Sequence, residues 1–151
     1  MARAPKTAWD PVLAELAGAL GIDAASAFRS DGSMSVRLRD VRLFLEGVAD
    51  GALVLAAPLA SMPSDAAAAA ALVEAVVTRG VPSFGSYRPV LGVVRQHLLL
   101  QLRIPPGTLD VLGLRQVCAR FAKDAIRRKE FASQALIGAR PSLRRVRHDL
   151  V

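Results

Sequence analysis

From Met34 onward the chain alternates apolar and polar residues with a period of two, a spacing that a half-buried strand requires and a helix cannot use. Met34, Val36 and Leu38 alternate with Ser35, Arg37 and Arg39, and Val41, Leu43 and Leu45 alternate with Arg42, Phe44 and Glu46. After the turn residues Ala49, Asp50 and Gly51 the pattern resumes at Leu53 and Leu55, and Pro58 is expected to end this third strand. Three strands joined by short turns make an antiparallel meander with one face turned to a core. The segment RPVLGVVRQHLLLQLRIPPG (88–107) predicts two more strands around a turn near Arg95 to His97. In the second of these, Leu98, Leu100, Leu102 and Ile104 point one way and Leu99, Gln101 and Arg103 the other. The first, Val90 to Val94, is apolar on both faces and therefore asks for cover on both.

Helical spacing brackets these strands. In WDPVLAELAGALG (9–21), Asp10 can cap, Pro11 suits the first helical position, Leu13, Leu16, Ala17 and Leu20 share a face, and Gly21 can stop the helix. SDAAAAAALVEAVVTRG (64–80) predicts a second helix capped by Ser64 and ended at Gly80. A third is expected from Thr108 to about Ala132, with Leu114, Val117, Cys118, Phe121, Ala122 and Ala125 as its buried stripe. The order α-β-β-β-α-β-β-α implies an α+β fold, an antiparallel five-stranded sheet with three helices packed on it. Residues 1–132 are read as one domain and 133–151 as a basic, flexible C-terminal tail.

Charge divides the chain earlier, inside the last predicted helix. Residues 1–114 hold ten Lys or Arg against ten Asp or Glu, so the whole formal charge of +7 belongs to residues 115–151. Within the tail the cations are Arg140, Arg144, Arg145 and Arg147. One cysteine allows no internal disulfide, which suits a reducing compartment. Asp10, Pro11 and Glu15 interrupt any secretory signal, and no apolar run is long enough to span a bilayer. A bacterial cytoplasmic location is expected.

Residues that carry chemistry are scarce. His97 falls at a turn and His148 in the tail, neither with a second ligand at metal spacing. Cys118 lies on an apolar helical stripe that offers no activating base. Asp31, Asp40 and Asp50 fall near turns or edges, and no glycine-rich phosphate loop opens a helix. No enzyme activity, cofactor or metal is expected.

Several strings, in this order of elements, resemble the class I type III secretion chaperones of the CesT/Tir-chaperone type. They are the first helix ending LAGALGID, the meander ending LAAPLASMPSD, and RQHLLLQLRIP before the last helix, together covering roughly residues 9 to 132. The resemblance implies a small, cytoplasmic, non-enzymatic homodimer serving virulence. It would bind the N-terminal segment of a secreted effector and keep it partly unfolded for export, and would meet the secretion-apparatus ATPase. Such chaperones are commonly acidic, whereas this chain is basic at its end.

The residues themselves supply candidates for both surfaces. Phe44, Val54 and Leu99 are apolar positions on the polar faces of their strands, where an extended peptide could anchor. Leu72, Val73, Val76 and Val77 circle the second helix, and Val90, Leu91 and Val93 fill a two-faced strand; these are the candidate dimer interface. An alternative function is a basic adaptor or regulator whose tail engages nucleic acid or an acidic partner. Nucleic acid is the less favoured partner, because the segment lacks interleaved aromatic residues.

Overall fold

The structure is a computed structural model that describes residues 9–30, 32–77 and 87–149, with side chains as far as Gly138 apart from Ala24. Five strands form one antiparallel sheet: β1 (Met34–Leu38), β2 (Val41–Gly47), β3 (Leu53–Ser61), β4 (Val90–Val94) and β5 (His97–Ile104). Their spatial order is β1-β2-β3-β5-β4, so the meander continues into a hairpin whose outer strand, β4, is an edge. Register follows the alternation: Val36 lies opposite Leu43, Leu45 opposite Leu55, and Leu55 opposite Leu102. Every residue of that inner row is buried.

Helices α1 (Asp10–Ala19), α3 (Ala66–Val77) and α4 (Val111–Asp149) supply the rest of the core, and a single turn, α2 (Ala24–Ala27), precedes β1. The sequence predicts three helices, and the structure adds α2, too short to show periodicity. Asp23 supports it by accepting from the Ala25 N–H and the Ser26 hydroxyl. α4 packs against α3, β3 and α1, burying Leu114, Phe121, Ala122 and Ala125. Each large apolar side chain so buried contributes about 1.5–3 kcal/mol of transfer free energy.

Helix ends differ from expectation in instructive ways. α1 is preceded by Trp9, with Asp10 already helical and buried rather than acting as the cap. The Trp9 indole N–H donates to the Gly51 carbonyl at 2.8 Å, tying the helix start to the β2–β3 turn. Gly21 does close α1: its φ of 72° lets Ile22 N–H reach the Ala17 carbonyl at 2.8 Å. α3 is capped by Asp65, not Ser64, through a 2.8 Å bond from the Ala68 N–H, and Gly80 lies outside the described residues. α4 starts three residues later than expected, where Asp110 accepts from the Gly113 N–H at 2.8 Å. It also runs on to Asp149 instead of ending near Ala132, with Ala132 buried and Ala135 and Leu136 packed on the core.

Pro58 does not end β3, which continues to Ser61. Paired residues of β2 and β3 end at Phe44 and Ala56, so beyond that point β3 faces only β5. A residue without an N–H is tolerated on such a locally edge-like stretch, and the register shifts between Pro58 and Ala60. One ion pair is fully internal. Arg128 Nε donates to Asp124 Oδ2 at 3.0 Å, and its Nη1 donates to the Val76 carbonyl at 2.6 Å, in the last turn of α3.

Candidate functional site: the outer face of the sheet

Among the described residues, helices cover only one face of the sheet. On the other lie the even-numbered residues of β2 and β3 and the odd-numbered residues of β5. Phe44 pairs with Ala56, Ala56 with Gln101, Pro58 with Leu99, and Val54 with Arg103. Phe44, Ala56, Pro58 and Leu99 therefore come together across three strands, although 55 residues separate the first from the last in sequence.

They floor an open groove of about 360 Å³, completed at the β4–β5 hairpin by Val94, Arg95 and His97. Phe44 and Leu99, expected from alternation, both line it. Val54 is half-buried on the same face but lies outside the groove, between Glu46 and Arg103 in the register. Asp50 forms an ion pair with Arg103, so that side of the face is closed by charge. Gln101 lies over Gly92, where an added Cβ would meet its Oε1 at 2.9 Å, and this gives the groove a polar border.

Several groove residues escape sequence reading. Ala56 and Pro58 share parity with Val54, but the strand had been expected to stop at Pro58. Arg29, in the loop before β1, stacks its guanidinium 5.6 Å from the Phe44 ring centre; nothing local in the sequence links the two. The hairpin turn is only Arg95 and Gln96, both with positive φ (49° and 64°), and His97 is already in β5. Such a turn favours Asn-Gly, so Arg and Gln occupy it under backbone strain. The Gln96 carbonyl accepts from the Met62 N–H at 2.7 Å, pinning the turn against the end of β3.

Further exposed valines lie along the edge strand, on both of its faces, and at the end of α3. Val90 and Val93 are 57% and 56% exposed, Val94 and Val77 nearly as much. Val73 and Leu91 are half-buried against the core. Leu72 and Val76 are different: both are 0% exposed and already taken up by the chain's own core, so neither offers surface. The rest of the apparent all-round apolar character of α3 comes from its alanines, several of them exposed. β4 carries no charge and no proline along its length, and it pairs only with β5. Among the described residues it is an edge without the usual protection against further pairing.

Reactive chemistry is sparse among the described residues. No group of three or more His, Cys, Asp or Glu is placed to hold a metal, and no helix is long and apolar enough to cross a membrane. Cys118 is buried, and desolvation pushes its thiol up to about 12. The side chains of Arg140, Arg144, Arg145 and Arg147, and His148, lie outside the described residues.

An open apolar groove on a sheet, beside an unprotected strand edge, suits binding an extended chain. The chain is similar to the type III secretion chaperone SycH of Yersinia pestis, solved in complex with a stable fragment of YscM2: TM-score 0.54, 16% identity, covering 79% of this chain and 98% of that one. It also matches a chain of the heterodimeric ExoU–SpcU complex from the type III secretion system of Pseudomonas aeruginosa, with TM-score 0.44, 17% identity, and 84% and 93% coverage. No curated protein matches the sequence. The family model of the Tir chaperone protein (CesT) family matches residues 12–128. The chain belongs to the Tir chaperone protein (CesT) family.

Proposed function

We propose that this protein is a non-enzymatic, cytoplasmic type III secretion chaperone. As a homodimer it binds the N-terminal region of a secreted effector and keeps that region partly unfolded and competent for export. The observation that carries the reading is the groove itself. Phe44 and Leu99, with Ala56 and Pro58, form an apolar floor on a face no helix covers, within a domain of chaperone fold. An extended segment can place apolar side chains there and add main-chain hydrogen bonds at a free strand edge. Val54 extends the same face toward Glu46.

Homodimerisation is supported by the exposed Val90 and Val93 on the β4 edge, with Leu91 between them, and by Val73 and the exposed Val77 on α3. The domain reaches at least Leu136, the last residue seen against the core. The basic segment beyond it, with Arg140, Arg144, Arg145 and Arg147, acts separately from effector binding and is the part most suited to meeting the secretion ATPase or another acidic surface. Truncation after Gly138 should leave both the melting temperature and effector binding unchanged.

Co-expression with the N-terminal region of an effector encoded nearby tests the reading. A complex of two chaperone chains per effector, stable at about 0.5 M salt because apolar burial is not screened, is expected. Light scattering that shows a single 16.0 kDa chain at micromolar concentration, or no effector retained, would overturn it.

A further inference from the structure

The groove's rim has a sign. At one end the Arg29 guanidinium stacks over Phe44, and Arg42 projects from the same face of β2 two residues away. At the other end stand Arg95 and His97. None of the groove-lining residues is acidic. Along this face, Asp50 is paired with Arg103, and Glu46 lies on the Val54 side, away from the hairpin.

Two placements run against local preference. Arg37 and Arg42 are directly opposite in the β1–β2 register, where like charges disfavour pairing. Arg95 occupies a left-handed turn position that suits asparagine or glycine. In both cases a cation stands where backbone or neighbour disfavours it, and both flank the same apolar floor.

We propose that the groove selects extended segments whose apolar anchors are flanked by aspartate or glutamate. This rests on the chaperone reading and adds the chemistry of the segment that is bound. Phe44 and Leu99 lie two strand spacings apart across the sheet and two residues apart along it, about 12 Å, which four extended residues cover with both end side chains on one face. Two apolar anchors so spaced would sit over Phe44 and Leu99. Carboxylates just outside them would reach Arg29 and Arg42 at one end and Arg95 at the other.

The test uses two fluorescent peptides of about twelve residues, long enough to cross the sheet. Both carry two leucine anchors four residues apart, so that they share a face; one is flanked by aspartates and the other by lysines. At low ionic strength the aspartate peptide should bind about three- to tenfold tighter, the range expected of two or three exposed ion pairs. The ratio should fall toward one by about 0.5 M salt. The double variant Arg42→Gln, Arg95→Gln, whose sites are exposed, should lose the discrimination, weakening the aspartate peptide and tightening the lysine peptide, while its melting temperature shifts by no more than a few degrees. Equal affinities, a preference for lysine, or no binding of either peptide would each refute the selectivity. A single-stranded oligonucleotide that displaces the aspartate peptide through the same arginines would reassign the rim to phosphate. Co-purification of an effector fragment with the wild-type chain separates the two claims. If the complex forms but the peptides are not distinguished, only the selectivity falls; if no complex forms, the chaperone reading falls with it.

Discussion

Phe44 and Leu45 are adjacent in sequence and belong to different chemistries. Leu45 points to the inner face, 0% exposed, paired with Leu55 and locked under the helices. Phe44 points to the outer face, half-buried, paired with Ala56 and roofed only by Arg29. The same strand thus holds the fold together with one set of side chains and presents a binding floor with the other. The inner face is redundant, with Leu43, Leu53, Leu55, Leu100 and Leu102 all buried together. The outer face depends on a few residues, and that difference makes stability and binding separable by mutation.

The largest expected effect lies deep on the inner side. Arg128→Met leaves the Asp124 carboxylate buried without its cation and frees the Val76 carbonyl, and should destabilise by about 3–5 kcal/mol. Replacing both partners by apolar residues should restore much of that loss, measured by urea unfolding. Leu45→Ala should cost about 2–5 kcal/mol, whereas Phe44→Ala should stay within about 1 kcal/mol. Equal losses at the two positions would break the division between faces.

Smaller effects sharpen the same division. Arg95→Asn with Gln96→Gly relieves two left-handed residues and should raise stability by about 1–2 kcal/mol. It should also weaken binding of an acidic segment, because stability here is gained at the groove's rim. On the inner side, the buried Cys118 thiol stays protonated up to about 12, while in the unfolded chain it ionises near 9.0. Its contribution is therefore complete below the unfolded value and is lost as pH rises toward the folded one, at a limiting slope of about 1.4 kcal/mol per pH unit. One unit above the unfolded value, Cys118→Ala should lack about 1.4 kcal/mol of the wild-type decline.

The inner face was legible in the sequence because burial imposes a period. Met34, Val36, Leu43, Leu45, Leu98 and Leu100 announce themselves by alternation, and α4's stripe by helical spacing. The outer face was legible only as exceptions to that period, which is how Phe44 and Leu99 stood out. What alternation cannot show is which strands become neighbours. Pro58 and Ala56 join the groove because β5 inserts beside β3, a pairing across about forty residues. Arg29 reaches Phe44 from a loop with no pattern at all. On α3, composition hid the answer. Six consecutive alanines make any helix look apolar all round, so Leu72 and Val76, which face inward, could not be told from Val77, which faces out.

On the proposed function, the outer-face groove, and not the core beneath it, holds the effector. Phe44→Asp tests it most directly, with the co-expressed effector fragment retained on the chaperone measured alongside the melting temperature of the chaperone alone. A carboxylate placed in the apolar floor should remove most of the bound effector, since desolvating it costs more than the lost contact. The dimer should remain, and the melting temperature should shift by no more than a few degrees, the size of about a 1 kcal/mol change. Full effector retention at an unchanged melting temperature would contradict the claim, and loss of both together would place Phe44 in the core instead.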